Sequence, residues 1–312
     1  MKKFLFLGIA ATAMFASCTN DEMVEMNPQS AIGFETFVDK STRATDVIKS
    51  NLTAFEVYGW RTKGTTTEQI FDAQAVTADN GTCTYSPLQY WVGGYNYTFE
   101  AVAPKSGEGG VTFNDVNGSS TIKFVSNAET DLIYASATAT TQDNITRAPA
   151  AVGLTFNHLL SRVKFTFTNG AAVNSAATIT VSDVKITNAG NTATYSPFAD
   201  GEKWGAVTGS QEVGFASTDI ADIAGGVSED TEHMYLIPCD VQNYTLSFKV
   251  TMTQGNVSDE FTYSGIKLYN ATYTLEKGKS YNFKTTFNPG YPITFTAEVT
   301  GWGPNFTDVS IP

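Results

Sequence analysis

The sequence predicts an all-β protein folded as two tandem β-sandwich domains with minimal helix. Three observations carry that prediction. Short runs rich in Val, Ile, Thr, Tyr and Phe alternate apolar with polar residues and are separated by Gly, Asn and Asp, the pattern of antiparallel strands. Helical periodicity is scarce. A chain of 312 residues exceeds what one hydrophobic core usually serves, and at about 150 residues per domain two cores are expected.

Taken in order, the chain begins MKKFLFLGIAATAMFASC, where Lys2 and Lys3 precede an apolar run from Phe4 to Ala16. That is the shape of a secretory signal over residues 1–17, and the run is too short to cross a bilayer. Phe15-Ala16-Ser17-Cys18 resembles the lipobox of bacterial lipoproteins, with Phe where Leu is more usual. The resemblance implies diacylglycerol on Cys18 and cleavage before it; the alternative is an ordinary secretory signal with an incidental cysteine. The following Thr19-Asn20-Asp21-Glu22 resembles the short surface-export tag of lipoproteins from the Bacteroides group.

Next comes AIGFETFV, a strand by its alternation: Ile32, Phe34, Thr36 and Val38 share one parity, and Gly33, Glu35 and Phe37 the other. Just behind it, the polar stretch DKSTRATD carries Lys40 and Arg43, and the arginine is placed to invite a protease to the Arg43-Ala44 bond. Alternating runs then recur at 52–60, 95–104, 131–138, 162–169, 177–187, 232–238, 244–253 and 279–287. Gly93-Gly94, between LQYWV and YNYTF, predicts a tight reversal, and GEGG at 107–110 a surface loop. Single helical turns are expected at 218–225 and 158–161, both too short to be stable alone. A domain boundary is placed near residue 157, giving domains at 44–157 and 158–312.

The C-terminus, PITFTAEVTGWGPNFTDVSIP, puts Ile293, Phe295, Ala297 and Val299 on one parity, followed by Trp302, Phe306, Val309 and Ile311 past a Gly-Pro break. Pro304 separates the two pieces, because proline cannot donate to a ladder. Such apolar strands at a chain end either complete their own domain or are available for exchange.

Composition excludes several functions. With 31 acidic and 19 basic residues the net charge is −12, which repels phosphate backbones and argues against nucleic acid as a partner. Cys83 and Cys239, one in each half, make no disulfide scaffold and are read as free and buried, a bridge between them remaining open. The two histidines, His158 and His233, lie in no HExxH, metal-spaced cluster or nucleophile elbow. No catalytic residue, cofactor or metal is therefore assigned. Calcium loops of the EF-hand type and phosphate-binding glycine loops are absent from the sequence. Tyr90, Trp91, Tyr95 and Tyr97 cluster around Gly93-Gly94, and exposed aromatics can stack on sugar rings, so Tyr90 and Trp91 are candidate ligand contacts. At strand spacing, however, such residues mostly belong to a core.

Several segments together resemble the fimbrillins, the pilin subunits and accessory proteins of type V pili in the Bacteroides group. The carrying pieces are the lipobox, the strand with Arg43 before Ala44, YWVGGYNYTFEAVAP, TDLIYAS, LTFNHLLSRVKFTF, MYLIP, LEKGKSYNFKTTF and TFTAEVTGWG. The resemblance implies transthyretin-like Greek-key sandwiches, a structural role for His158 near the domain junction, and a precursor that reaches the outer membrane as a lipoprotein. A trypsin-like surface protease would then remove residues 18–43, including the strand of Ile32, Phe34, Thr36 and Val38. Residues 292–312 of another subunit would fill the emptied groove, building a fimbria that serves adhesion to surface glycans or proteins. Stalk, tip and lipid-retaining anchor roles are open within that family. A surface glycan-binding lipoprotein that never polymerises is the rival from another class.

Overall fold

The computed structural model describes residues 30–38, 51–145, 149–198, 203–215, 220–268, 274–288, 295–301 and 309–310. The strands of the first half are β1 (Phe34–Val38), β2 (Ala54–Lys63), β3 (Thr66–Asp79), β4 (Thr82–Thr84), β5 (Asn96–Ala103), β6 (Val111–Asn114), β7 (Thr121–Val125), β8 (Ile133–Thr140) and β9 (Val152–His158). The second half has β10 (Ser161–Asn169), β11 (Ala177–Ala189), β12 (Thr192–Ser196), β13 (Lys203–Trp204), β14 (Gln211–Gly214), β15 (Ile220–Ala224) and β16 (Ser228–Asp230). It continues with β17 (Met234–Leu236), β18 (Thr245–Gln254), β19 (Val257–Lys267), β20 (Lys279–Phe287), β21 (Thr296–Gly301) and β22 (Val309–Ser310). Among the described residues there is no helix. The fold class is therefore all-β.

Neither expected helical turn is helix: one is a two-residue connection between strands and the described part of the other is a strand. Residues 158–161 join β9 to β10, with Leu159 and Leu160 buried, and residues 220–224 form β15 paired with β11. In both places tertiary pairing outweighs a local turn propensity too short to nucleate a helix.

The first half also departs from an open sandwich. Its strands close a seven-stranded path in the order β1-β4-β3-β2-β5-β8-β9. Closure depends on β1, which pairs on one edge with β4 (Glu35 opposite Thr82) and on the other runs parallel to β9, from Phe34 opposite Val152 to Val38 opposite Phe156. Parallel partners must be joined by a long crossover, so no sequence-local signal announces this pair. The second half is built from two sheets, β16-β10-β20-β21-β22 with β17 also on β10, and β14-β11-β18-β19 with β15 also on β11. There too a parallel pair recurs, β10 beside β20.

A further four-stranded sheet, β13-β12-β7-β6, joins residues of both halves. Three apolar cores follow from this arrangement. One fills the closed path, with Phe55, Phe71, Phe99, Leu154 and Phe156. Another lies between the two sheets of the second half, with Phe165, Phe167, Phe248 and Phe283. The third unites both halves around Trp60, Phe124, Leu132, Leu160, Tyr195 and Ile237.

The Gly93-Gly94 reversal forms, but only its downstream flank, β5, is a strand; upstream, Tyr90 makes an isolated bridge to Ala31. Glycine is required here by close approach, since a Cβ on Gly93 would stand 2.2 Å from the Asp143 carbonyl oxygen and Gly94 has φ +76°.

Candidate functional site

The groove filled by β1 is built from its own alternation. Ile32, Phe34, Thr36 and Val38 turn inward and are buried, whereas Glu35 and Phe37 are exposed. Phe34 lies at the centre, its ring centroid 5.4 Å from Phe71, 5.7 Å from Phe99 and 5.7 Å from Tyr85, in edge or tilted geometry that suits aromatic quadrupoles.

Backbone contacts hold the strand along both edges. Val152 N donates to the Gly33 carbonyl at 2.7 Å, Thr36 N to the Gly81 carbonyl at 3.3 Å, and Ile32 N to the Gln89 carbonyl at 2.8 Å. The Tyr85 hydroxyl donates to the Ile32 carbonyl at 2.6 Å and Trp91 N to the Ser30 carbonyl at 3.0 Å. The Val152 and Trp91 amides and the Gly81 carbonyl would lose these partners if residues 30–38 left. Burial pushes the Tyr85 phenol and the Cys83 thiol upward from their ordinary pKa values. The Cys83 thiol lies beside the Thr36 hydroxyl. Thr36 Oγ1 is buried, and the Cys83 thiol is the weak partner it faces.

The candidate sugar platform does not assemble. Trp91 is 3% exposed, with its indole edge-to-face on Tyr97 at 4.7 Å and Phe99 at 6.0 Å, so it belongs to the core and offers no ring face outward. Tyr97 is equally buried, while Tyr95 is partly exposed beneath Arg61 and Lys63 at 5.2 and 5.4 Å. Only Tyr90, 41% exposed, keeps a free surface. The cause is the register of the 85–95 loop: Tyr90 bridges Ala31, which turns the next residue into the barrel.

At the other end of the chain, Phe295 packs edge-on against Phe165 at 5.8 Å, Phe167 at 6.3 Å and Phe248 at 6.2 Å. Ala297 is buried, Val299 is half-buried, and β21 pairs with β20 and β22. The terminal strand thus rests on its own domain. Cys18, Arg43, Ala44, Ile293, Trp302, Phe306 and Ile311 lie outside the described residues, and of Val309 only the backbone is described.

Titratable chemistry is sparse elsewhere. His158 Nδ1 lies 2.8 Å from Asp131 Oδ2, both buried, where the first half meets the second. Glu100, fully buried, accepts from Ser120 Oγ at 2.5 Å and Tyr134 Oη at 2.7 Å. Among the described residues no group of His, Cys, Asp or Glu could hold a metal ion. A cavity of about 290 Å³ beside Trp91, Thr138, Thr140, Pro149 and Gly153 is lined without a titratable side chain. Cys83 and Cys239 are free thiols in different cores, the latter 3.1 Å from the Tyr244 hydroxyl.

The best-defined feature of this all-β fold is the strand β1 seated between β4 and β9. Residues 42–302 match the family described as fimbrillin-like, and the chain belongs to that family. It is a family of fimbrial subunits and not of enzymes. The chain is 22% identical to the fimbrium subunit Fim1C of Phocaeicola vulgatus, an alignment covering 95% of each. Its fold is similar to a fimbrial protein from Bacteroides vulgatus, with TM-score 0.63 and 18% identity over 88% of this chain and 99% of that one. A candidate cell adhesion protein from Bacteroides uniformis aligns with TM-score 0.51 and 18% identity, again over 88% and 99%.

Proposed function

We propose that this chain is a stalk subunit of a cell-surface fimbria that polymerises by strand exchange and contributes to adhesion. It travels to the outer membrane as a lipoprotein anchored through Cys18, and a trypsin-like surface protease cuts between Arg43 and Ala44. Residues 18–43 leave, the β1 slot opens, and residues 292–312 of the next subunit enter it.

The observation that carries this reading is the position of β1. It closes the barrel on two edges and buries Phe34, Thr36 and Val38, with Ile32 buried just ahead of it, yet five residues past its end stands Arg43. Burying Ile32, Phe34 and Val38 contributes roughly 1.5–3 kcal/mol each, or on the order of 5–9 kcal/mol gross, so an emptied slot creates a strong demand for a replacement. Unpaired strand edges on β4 and β9 add to it.

We read the halves as transthyretin-like domains, 44–157 and 158–312, the first completed in the precursor by β1 from the propeptide, because β1 lies parallel to β9 in one half as β10 lies parallel to β20 in the other. Burial of Trp91 weighs against the monomeric glycan-binding lipoprotein. The apolar C-terminal strand favours a stalk over a tip subunit, and Arg43 favours a processed subunit over a basal anchor.

Mass spectrometry of the N-terminal peptide, from protein sheared off the cell surface, tests the proposal. A mature chain beginning at Ala44 supports it. A chain beginning throughout at lipidated Cys18 would falsify the stalk reading and leave an anchor or a monomeric binder.

A further inference from the structure

Three exposed valines gather at one end of the second half: Val173 is 77% exposed, Val257 65% and Val227 41%. Strand register brings them there. β10 runs away from the first half, from Ser161 to Asn169, and residues 170–176 lead from it to β11. Thr168 lies opposite Ser228 and Thr178 opposite Ala224, so the turn that carries Val227 is beside that connection. A Cβ on Gly226 would stand 2.8 Å from Val173 Cγ2. Ala177 lies opposite Gln254, which in turn lies opposite Val257, and the β18–β19 turn therefore reaches the same end.

The first half has its own apolar group at the end away from the second. β9 runs from Val152 toward the second half, and the β2–β3 turn and the 85–95 loop lie at its starting end, because Thr62 is opposite Asn96 and Asn96 opposite Thr140. Leu88, 50% exposed, and Tyr90 stand on that loop. Apolar side chains clustered at an end, and not scattered singly, mark a surface made to be covered.

Charge differs between the two ends. The connections 170–176, 225–230 and 254–260 contain no Lys or Arg, and Glu229, Asp259 and Glu260 are exposed on them. At the loop end Arg61 and Lys63 lie over the Tyr95 ring. Lys63 Nζ is 3.7 Å from Asp143 Oδ1 with its side chain half in solvent, which leaves it room for a second carboxylate. Glu68 at this end is already bound to Arg61 through Nε and Nη2.

We propose that the Val173, Val227 and Val257 end of one copy seats on the Leu88 and Tyr90 end of the next, a contact separate from the exchanged strand, with the acidic connections facing Arg61 and Lys63. The proposal rests on the strand-exchange reading for which ends meet. β22 is antiparallel to β21 and hence parallel to β10, so it heads for the valine end, whereas the chain enters β1 from the loop end, where Tyr90 bridges Ala31. The two surfaces differ, so the contact repeats without closing on itself, as a filament needs. Valine burial supplies affinity, and the charges set orientation.

The test uses the full-length chain kept unlipidated by Cys18→Ser and cut after Arg43 with limiting trypsin. Chains with Leu88→Cys and chains with Val227→Cys are mixed, oxidised and resolved on non-reducing gels, with the chain lacking either substitution as the baseline for Cys83 and Cys239. A disulfide-linked dimer is expected from the mixture and from neither variant alone. Val173→Asp with Val257→Asp is expected to slow polymer growth about tenfold in light scattering while the uncut chain melts at the wild-type temperature. Linkage of Val227→Cys chains to one another overturns the pairing in favour of a like-with-like contact. Polymers that grow at the wild-type rate with both aspartates, or that link nowhere in the mixture, overturn the contact and leave strand exchange standing. A cut chain that stays monomeric in sedimentation means that neither the exchange nor the contact occurs.

Discussion

Phe34→Ala separates the precursor from the processed subunit in one substitution. The side chain is 3% exposed and its ring meets Phe71, Phe99 and Tyr85 within 5.7 Å. Truncating such a buried Phe costs about 3–5 kcal/mol, the transfer term plus the cavity left among three rings. For a unit of this size each kcal/mol lowers the midpoint by about 2–4 °C, so the unlipidated precursor should melt on the order of 10 °C lower. Under the proposed cleavage after Arg43, Phe34 leaves with the leader, and the precursor variant should yield a processed form that melts like the processed wild type. Differential scanning calorimetry on both forms, with hydrogen exchange at the amides of Val152 to Phe156, measures this. Local opening at those amides should rise with the loss of melting temperature, since β1 is their parallel partner. A precursor destabilised by less than about 1 kcal/mol would refute the idea that β1 closes and supports the first core.

Three other outcomes follow from the same geometry. Trp91→Ala should cost about 3–5 kcal/mol while Tyr90→Ala stays within about 0.5 kcal/mol, by urea denaturation; the reverse order would restore an aromatic platform at the surface. Burial is the first cause that raises the Glu100 pKa, partly offset by the Ser120 and Tyr134 hydrogen bonds. A carboxyl with a raised folded pKa contributes stability below its unfolded pKa and loses it as pH rises through the folded value. Glu100→Gln should therefore gain on the wild type as pH climbs from about 4 toward neutrality, and a constant difference across that window would show that the carboxyl does not titrate there. Gly93→Ala should destabilise the barrel by more than 1 kcal/mol in thermal melts, because its Cβ would meet the Asp143 carbonyl oxygen at 2.2 Å; an unchanged midpoint would mean that the 142–143 backbone yields freely.

Much of the candidate site is legible in the sequence because it rests on a period of two. The alternation of Ile32, Phe34, Thr36 and Val38 is a local property, and in the structure those side chains are the ones turned inward. The same holds for Phe295 and Ala297, which face the second core. Trp91 shows where the method stops. Its neighbourhood of aromatics suits a core or a platform equally, and the choice is made by a bridge between Tyr90 and Ala31, far apart in the chain. Residues 158–161 and 220–224 carry weak local turn signals that strand partners override.

The sequence alone determined the β class, the phase of strands with one buried face such as β1 and β18, and the segments able to serve as apolar strands, because side-chain alternation is written residue by residue. Tertiary structure alone decided that β1 closes a barrel by lying parallel to β9, that a third core joins the halves, and that Thr36 is buried beside Cys83. The physical reason is contact distance along the chain. Pairings between residues more than a hundred positions apart depend on which surfaces remain uncovered once every other strand has found its neighbour, and that is a property of the whole fold and of no segment within it.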